Sequence, residues 1–191
     1  MQKNPYSGKF IAFEGLDGSG QSTQANVLKD FLTETGNQAF LTKEPTNNII
    51  GGLIRGQLTN NWKTDPKCLQ LLFSADRAFY LEKEVIPLLE KGITVITDRY
   101  FLSTIAYGAV EIEDVDWLIE INKLFILPDI TFLIKVSPKI CLERIRETRF
   151  HIELFEKEQA LLQVWQNYES IAKRFENIYI IDGEKTIKEV F

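Results

Sequence analysis

Residues 13–24 read Phe-Glu-Gly-Leu-Asp-Gly-Ser-Gly-Gln-Ser-Thr-Gln, and their spacing is that of a loop able to hold phosphate. The pattern Gly-x-x-x-x-Gly-Lys-[Ser/Thr] is met at Gly15, Gly20 and Ser22, with Gln21 where the lysine belongs. In such a loop the backbone N–H groups cradle phosphates, the lysine reaches the β- and γ-phosphates, and the hydroxyl ligates Mg²⁺. Gly18 and Gly20 permit the tight path, and the helix N-terminus behind them adds a favourable field for an anion. Leu16, Asp17, Ser19 and Thr23 complete the stretch. A glycine-rich strand-to-helix turn without ligand is the plainer alternative. The flanks weigh against it, with β-rich Lys9–Phe13 before the loop and helical Ser22–Thr35 after it. A second candidate is Asp98-Arg99, which follows the hydrophobic run Thr94–Thr97 and takes the position of a metal-facing carboxylate in phosphate-loop enzymes. Its alternative is a capped strand end with a surface ion pair.

Bringing these residues together requires strands that end at one edge. Phe10–Glu14, Gln38–Thr42, Thr94–Thr97, Ile130–Val136 and Ile178–Ile181 are predicted as strands. The first helix carries Val27, Leu28, Phe31 and Leu32 on one face, with Gly36 as its stop. Ile49–Leu58 is a short helix, and Asp65-Pro66 caps another that runs to about Glu90, kinked or broken near Pro87. Pro138–Glu147 and Glu153–Arg174 are also predicted as helices. This alternation predicts an α/β fold, a three-layer doubly wound parallel five-stranded sheet in a single domain. Ligands of such sheets bind beyond the carboxyl ends of the strands. Gly15–Gln21, Lys43–Pro45, Asp98–Tyr100 and Lys135 would all sit there.

The 191 residues suffice for one domain with a substantial core. A net charge of −5 argues against nonspecific nucleic-acid binding, and no apolar run reaches the length of a membrane span. Cys68 and Cys141 lack metal-ligand spacing and read as reduced, buried thiols. The N-terminal stretch has no secretory character, so a cytoplasmic location is expected.

Four segments in order carry a resemblance: the loop, Thr-Lys-Glu-Pro (42–45), Leu-Leu-Phe-Ser-Ala-Asp-Arg (71–77) and Asp-Arg-Tyr-Phe-Leu-Ser-Thr-Ile-Ala-Tyr (98–107). With Pro-Asp-Ile-Thr-Phe-Leu-Ile (128–134) and Ile-Asp-Gly (181–183), they resemble the thymidylate kinases over nearly the whole chain. The resemblance implies a phosphate-loop, nucleoside monophosphate kinase-like fold that transfers the γ-phosphoryl of ATP to deoxythymidine monophosphate (dTMP) with Mg²⁺. By the same resemblance the protein would be a homodimer. Ser22 and Asp98 would face the metal, and Arg99 would hold the acceptor phosphate with Lys43 close by. Phe73 would stack on the base, Arg77 would bond its carbonyl edge, and Ser103 and Thr104 would offer it polar contacts. Tyr107 would close the space beside the sugar 2′-carbon, and Asp17 would contact the 3′-hydroxyl or the metal. A lid over about 146–153 would bring Arg146 and Arg149 to the transferring phosphates. Without the motifs, Phe73 and Tyr107 would read as core aromatics and the two lid arginines as solvated charges.

The chain departs from the family pattern in three places. Gln21 removes the loop cation, Gly108 stands where a glutamine is frequent, and Glu153-Leu154 replaces the lid's Asp-Arg pair. Lys135, at the end of the strand beside the first, is expected to supply the missing ammonium; a lysine paired with Asp17, Asp98 or Glu14 is the alternative. An active thymidylate kinase is therefore weighed against a kinase of shifted pyrimidine specificity and a catalytically silent nucleotide binder.

Overall fold

The computed structural model describes residues 1–148 and 158–191. Five strands form one parallel sheet: β1 (Phe10–Gly15), β2 (Ala39–Lys43), β3 (Thr94–Asp98), β4 (Ile130–Lys135) and β5 (Ile178–Asp182). Their order is β2-β3-β1-β4-β5. The connections after β1 and β3 leave in opposite directions along the sheet, which opens a crevice at their carboxyl ends. The three central strands are covered on both faces and so read as near-continuous apolar runs. Phe10, Ala12, Val95, Ile96, Leu133 and Ile134 are fully buried there. The outer strands β2 and β5 are half-exposed.

Helix α1 (Gln21–Glu34) begins directly from the glycine-rich loop. It stops where Gly36 takes φ 83°, with the Asn37 and Gly36 N–H groups returning to the Leu32 and Thr33 carbonyls. α2 (Ile49–Leu58) is capped by Asn48, whose side chain accepts from the Gly51 N–H. Asp65 caps α3 (Pro66–Tyr80), with Pro66 at its first position. The expected break at Pro87 is instead a change of pitch. A π-type turn over Leu81–Val85 leads straight into α4 (Ile86–Glu90). Pro87 has no N–H to donate and its ring would crowd the Lys83 carbonyl, so the preceding turn widens.

α5 (Phe101–Gly108) follows β3 and packs on α8 (Glu158–Ala172). α6 (Val115–Glu120) starts at an Asp114 cap, and α7 (Pro138–Thr148) leaves β4. A short α9 (Ile187–Val190) is held by a capping box between Thr186 and Glu189. Gln2–Lys3 pairs with Ile126–Leu127, a ladder too short for any periodicity to announce. Cys141 is buried as expected, whereas Cys68 is exposed on α3. Among the described residues no helix is long and apolar enough to cross a membrane.

Candidate active site

Strand register sets the site. Phe13 lies opposite Asp98, Asp98 opposite Lys43, and Gly15 opposite Ile134, so the loops after β1, β2 and β3 open together. Between them is a cavity of about 770 Å³, within the usual range for small-molecule sites. Residues 17–24 form one end of its lining. Gly18 takes φ 79°, and a Cβ there would come within 2.6 Å of the Cys141 carbonyl, so only glycine lets the loop pass under α7. Gly20, at φ 100°, is the N-cap of α1. Within the loop Leu16 and Ser19 are buried, and Thr23 is exposed on α1. Ser22 Oγ donates to Asp98 Oδ2, which joins a hydroxyl and a carboxylate on the cavity wall. Hard oxygen ligands of this kind suit Mg²⁺, which takes one or two protein oxygens and fills its sphere with phosphate and water.

Gln21 is among the lining residues, but its amide is engaged by the loop itself. Its Nε2 turns back and donates to the Gly15 carbonyl at 2.7 Å. The same carbonyl accepts from Arg99 Nη1 and from the Tyr168 hydroxyl, each at 3.1 Å.

Arg99 stands at the centre. Its backbone is left-handed, φ 73°, at the first of the two residues between β3 and α5. Its guanidinium donates to Gly15 O, to Ser103 Oγ at 2.9 Å and to Asp17 Oδ1 at 2.8 Å, and lies 5.3 Å from the Tyr107 ring. Burial alone would lower the arginine's pKa; Asp17, then Tyr107, Tyr168 and Asp98, more than offset it and hold the group well above its usual value. The Tyr107 hydroxyl accepts from the Asp17 N–H and donates to Asp17 Oδ2, both at 3.0 Å. Burial, followed by the Asp17 charge, raises its pKa and keeps that donor protonated.

Lys43, Glu44, Phe73, Thr104 and Tyr107 also line the cavity. Two expected contacts to the base differ. Ser103 Oγ is already engaged by Arg99, by Glu14 and by Tyr168. Arg77 is 0% exposed and does not open onto the cavity. It pairs with Glu44, bonds Asn122 and Thr104, and lies 4.9 Å from the Tyr100 ring. Its carboxylate partner draws it inward, so it supports Thr104 from behind instead of meeting a ligand.

Lys135 requires a correction. Its Nζ pairs with Glu169 at 3.3 Å and lies 5.5 Å from the Trp165 ring, both on α8, and it does not line the cavity. Pleat parity turns the side chain to the α8 side of the sheet. Lys135→Ala is therefore expected to leave turnover within about twofold, as removal of an exposed ion pair should; a tenfold loss would restore the loop-cation role. Arg146 is exposed on α7, while Arg144, Ile145 and Glu147 of that helix line the cavity. Arg149, His151, Glu153 and Leu154 lie outside the described residues. Sequence reasoning passed over Arg55, Gln70, Arg144 and Lys185, all of which line the cavity. The Thr186-x-x-Glu189 capping signature could have pointed to the turn carrying Lys185.

Beneath the arginine, Glu14 is fully buried. It accepts from the Tyr100 and Ser103 N–H groups, the Ser103 hydroxyl and the Tyr168 hydroxyl. Burial raises its pKa from 4.5 to about 7, against the lowering effects of Ser103 and Arg99. An acid raised in the folded state contributes stability fully below about pH 4.5 and loses it as pH climbs through 7. Glu14→Gln should flatten a decline of about 3 kcal/mol across that window, read by urea unfolding at pH 5 and pH 7.5. An unchanged slope would assign the pH dependence elsewhere.

A parallel sheet in this order, with a glycine-rich loop feeding α1 and an Asp-Arg pair closing β3, defines a phosphate-loop kinase of the nucleoside monophosphate class. Comparison with known proteins narrows the class. The family model for thymidylate kinase matches residues 13–191, and the chain belongs to that family. It is 40% identical to the thymidylate kinase of Thermosipho africanus over 95% of this chain and 93% of that one. It is 36% identical to a probable thymidylate kinase of Thermococcus kodakarensis, covering 95% and 92%. The thymidylate kinase structure from Candida albicans superposes with a TM-score of 0.82 at 30% identity, over 96% of this chain and 87% of that one.

Proposed function

We propose that this protein is a working thymidylate kinase, which transfers the γ-phosphoryl group of ATP to the 5′-phosphate of dTMP and yields dTDP. The observation that carries this reading is one cavity lined together by the phosphate loop, the Ser22–Asp98 pair, Arg99, Phe73, Thr104 and Tyr107. Loop N–H groups and the α1 N-terminus receive the ATP phosphates. Ser22 and Asp98 would hold Mg²⁺, which neutralises phosphate oxygens when bound. Phe73 offers a ring face to the base, and the Arg99 fork takes the acceptor phosphate and aligns it for in-line attack. Asp17 and Tyr107 fix the fork's orientation. Such transfer asks little covalent help of the protein, so position and positive charge do most of the catalysis.

The ammonium missing at Gln21 is offset by other cations on the cavity wall. Arg144 lines the same cavity as the loop and donates to the Gly183 carbonyl at 3.1 Å, which supports a role for it at the donor phosphates. A coupled assay of ADP release with ATP, Mg²⁺ and dTMP tests the proposal. Intact nucleotide binding without turnover would make the protein a silent binder. A cytoplasmic homodimer built from a single kinase domain completes the reading, by resemblance to the family.

A further inference from the structure

We infer that Gln70 reads the imide edge of the base in the acceptor pocket. The inference rests on the kinase reading above and adds a specificity-determining residue to it. Gln70 lines the cavity from α3, one helical turn before Phe73 and on the same face. It is 4% exposed, and its Oε1 is buried without a hydrogen-bond partner. Among the described residues, the buried side-chain atoms lacking a partner belong to Ser19, Gln57, Gln70, Ser74 and Tyr80; of these, Ser19 and Gln70 line the cavity, and Ser19 belongs to the phosphate loop. A buried acceptor left unpaired is costly, and on a cavity wall a ligand donor relieves the cost.

Gly108 makes this placement possible. A Cβ there would lie 2.9 Å from Gln70 Cδ and 3.1 Å from its Oε1. The missing side chain on α5 is thus the space that the α3 carboxamide occupies. A carboxamide presents an acceptor and a donor side by side. The edge of a 2,4-dioxopyrimidine presents an N–H beside a carbonyl, so Oε1 accepts from N3–H while Nε2 donates to the neighbouring oxygen. A cytosine edge sets an unprotonated N3 against Oε1 and is repelled. The pocket therefore selects an imide pyrimidine, with Phe73 against its face and Gln70 at its edge.

Calorimetric Kd values for dTMP, its N3-methyl analogue and dCMP test this in wild type, Gln70→Met and the double variant Gln70→Ala/Gly108→Gln. Wild type should bind dTMP tightest. Gln70→Met should weaken dTMP about tenfold to a hundredfold and shrink its preference over the N3-methyl analogue by a similar factor. The double variant, which returns a carboxamide from α5, should regain the preference, and it carries the test by itself if Gln70→Met unfolds in a thermal melt. A folded Gln70→Met with Kd values and ratios within twofold of wild type would overturn the inference and leave the kinase reading standing. So would a double variant with no preference for dTMP over the N3-methyl analogue. Tight dTMP binding without turnover would defeat the kinase reading alone, since Kd still reports on Gln70. Failure of wild type to bind dTMP would defeat both.

Discussion

Arg99→Ala is expected to lower kcat/KM for dTMP by roughly 10³-fold or more, about 4 kcal/mol of transition-state stabilisation. Among the described residues the guanidinium is the one group that bonds the Gly15 carbonyl, Asp17 and Ser103 together. Asp17 would also be left without its ion-pair partner on the cavity wall. Arg99→Lys keeps the charge and loses the planar fork, so it should fall between alanine and wild type. The left-handed backbone at this position adds a control. Arg99→Gly relaxes the φ of 73° while deleting the same side chain, so it should be as inactive as alanine yet at least as stable. Steady-state kinetics and thermal melts of the three variants separate the outcomes. A kcat/KM for alanine within tenfold of wild type would remove Arg99 from the centre of the mechanism.

The largest effect on stability should come from Arg77→Leu, at about 3–5 kcal/mol. Arg77 and Glu44 are both out of solvent. Burial raises the pKa of Glu44, Arg77 opposes that rise through its charge and hydrogen bonds, and Asp76 adds to it. Removing the cation alone strands that carboxylate and leaves Asn122 Oδ1 and Thr104 Oγ1 short of a donor. For a chain of this length the loss corresponds to roughly 6–20 °C in Tm. Removing both partners, in Arg77→Leu/Glu44→Leu, should recover much of it, because a well-packed apolar pair needs no desolvated charges. Denaturant melts of the two singles and the double give the coupling. Additive losses would mean that the pair is not the unit of stability.

Much of the site is legible in the sequence because glycines, caps and strand ends act locally. The loop, Asp98-Arg99, the Asp65-Pro66 helix start and the Gly36 stop each depend on a few neighbouring residues and fall where their chemistry puts them. Lys135 is different. Its strand was foreseen within a residue, yet which way its side chain points depends on pleat parity and on Glu169, thirty-four positions away. Arg77 is hidden for a similar reason: its motif position is plain, but its burial follows from Glu44, Asn122 and Thr104 on three other segments. Gln70 carries no local signal at all, since its meaning comes from a missing side chain on another helix. The Gln2–Lys3 ladder has two residues to a side and offers no period to detect.

The Gly15 carbonyl has one more consequence. It receives the Gln21 amide, the Arg99 guanidinium and the Tyr168 hydroxyl, from α1, the β3–α5 turn and α8. A lysine in place of Gln21 would have to swing between loop and phosphate; a glutamine bonded inward fastens the loop before any nucleotide arrives. Little conformational freedom then remains to be lost when ATP enters, and the entropy of ordering the loop is spent during folding instead of during binding.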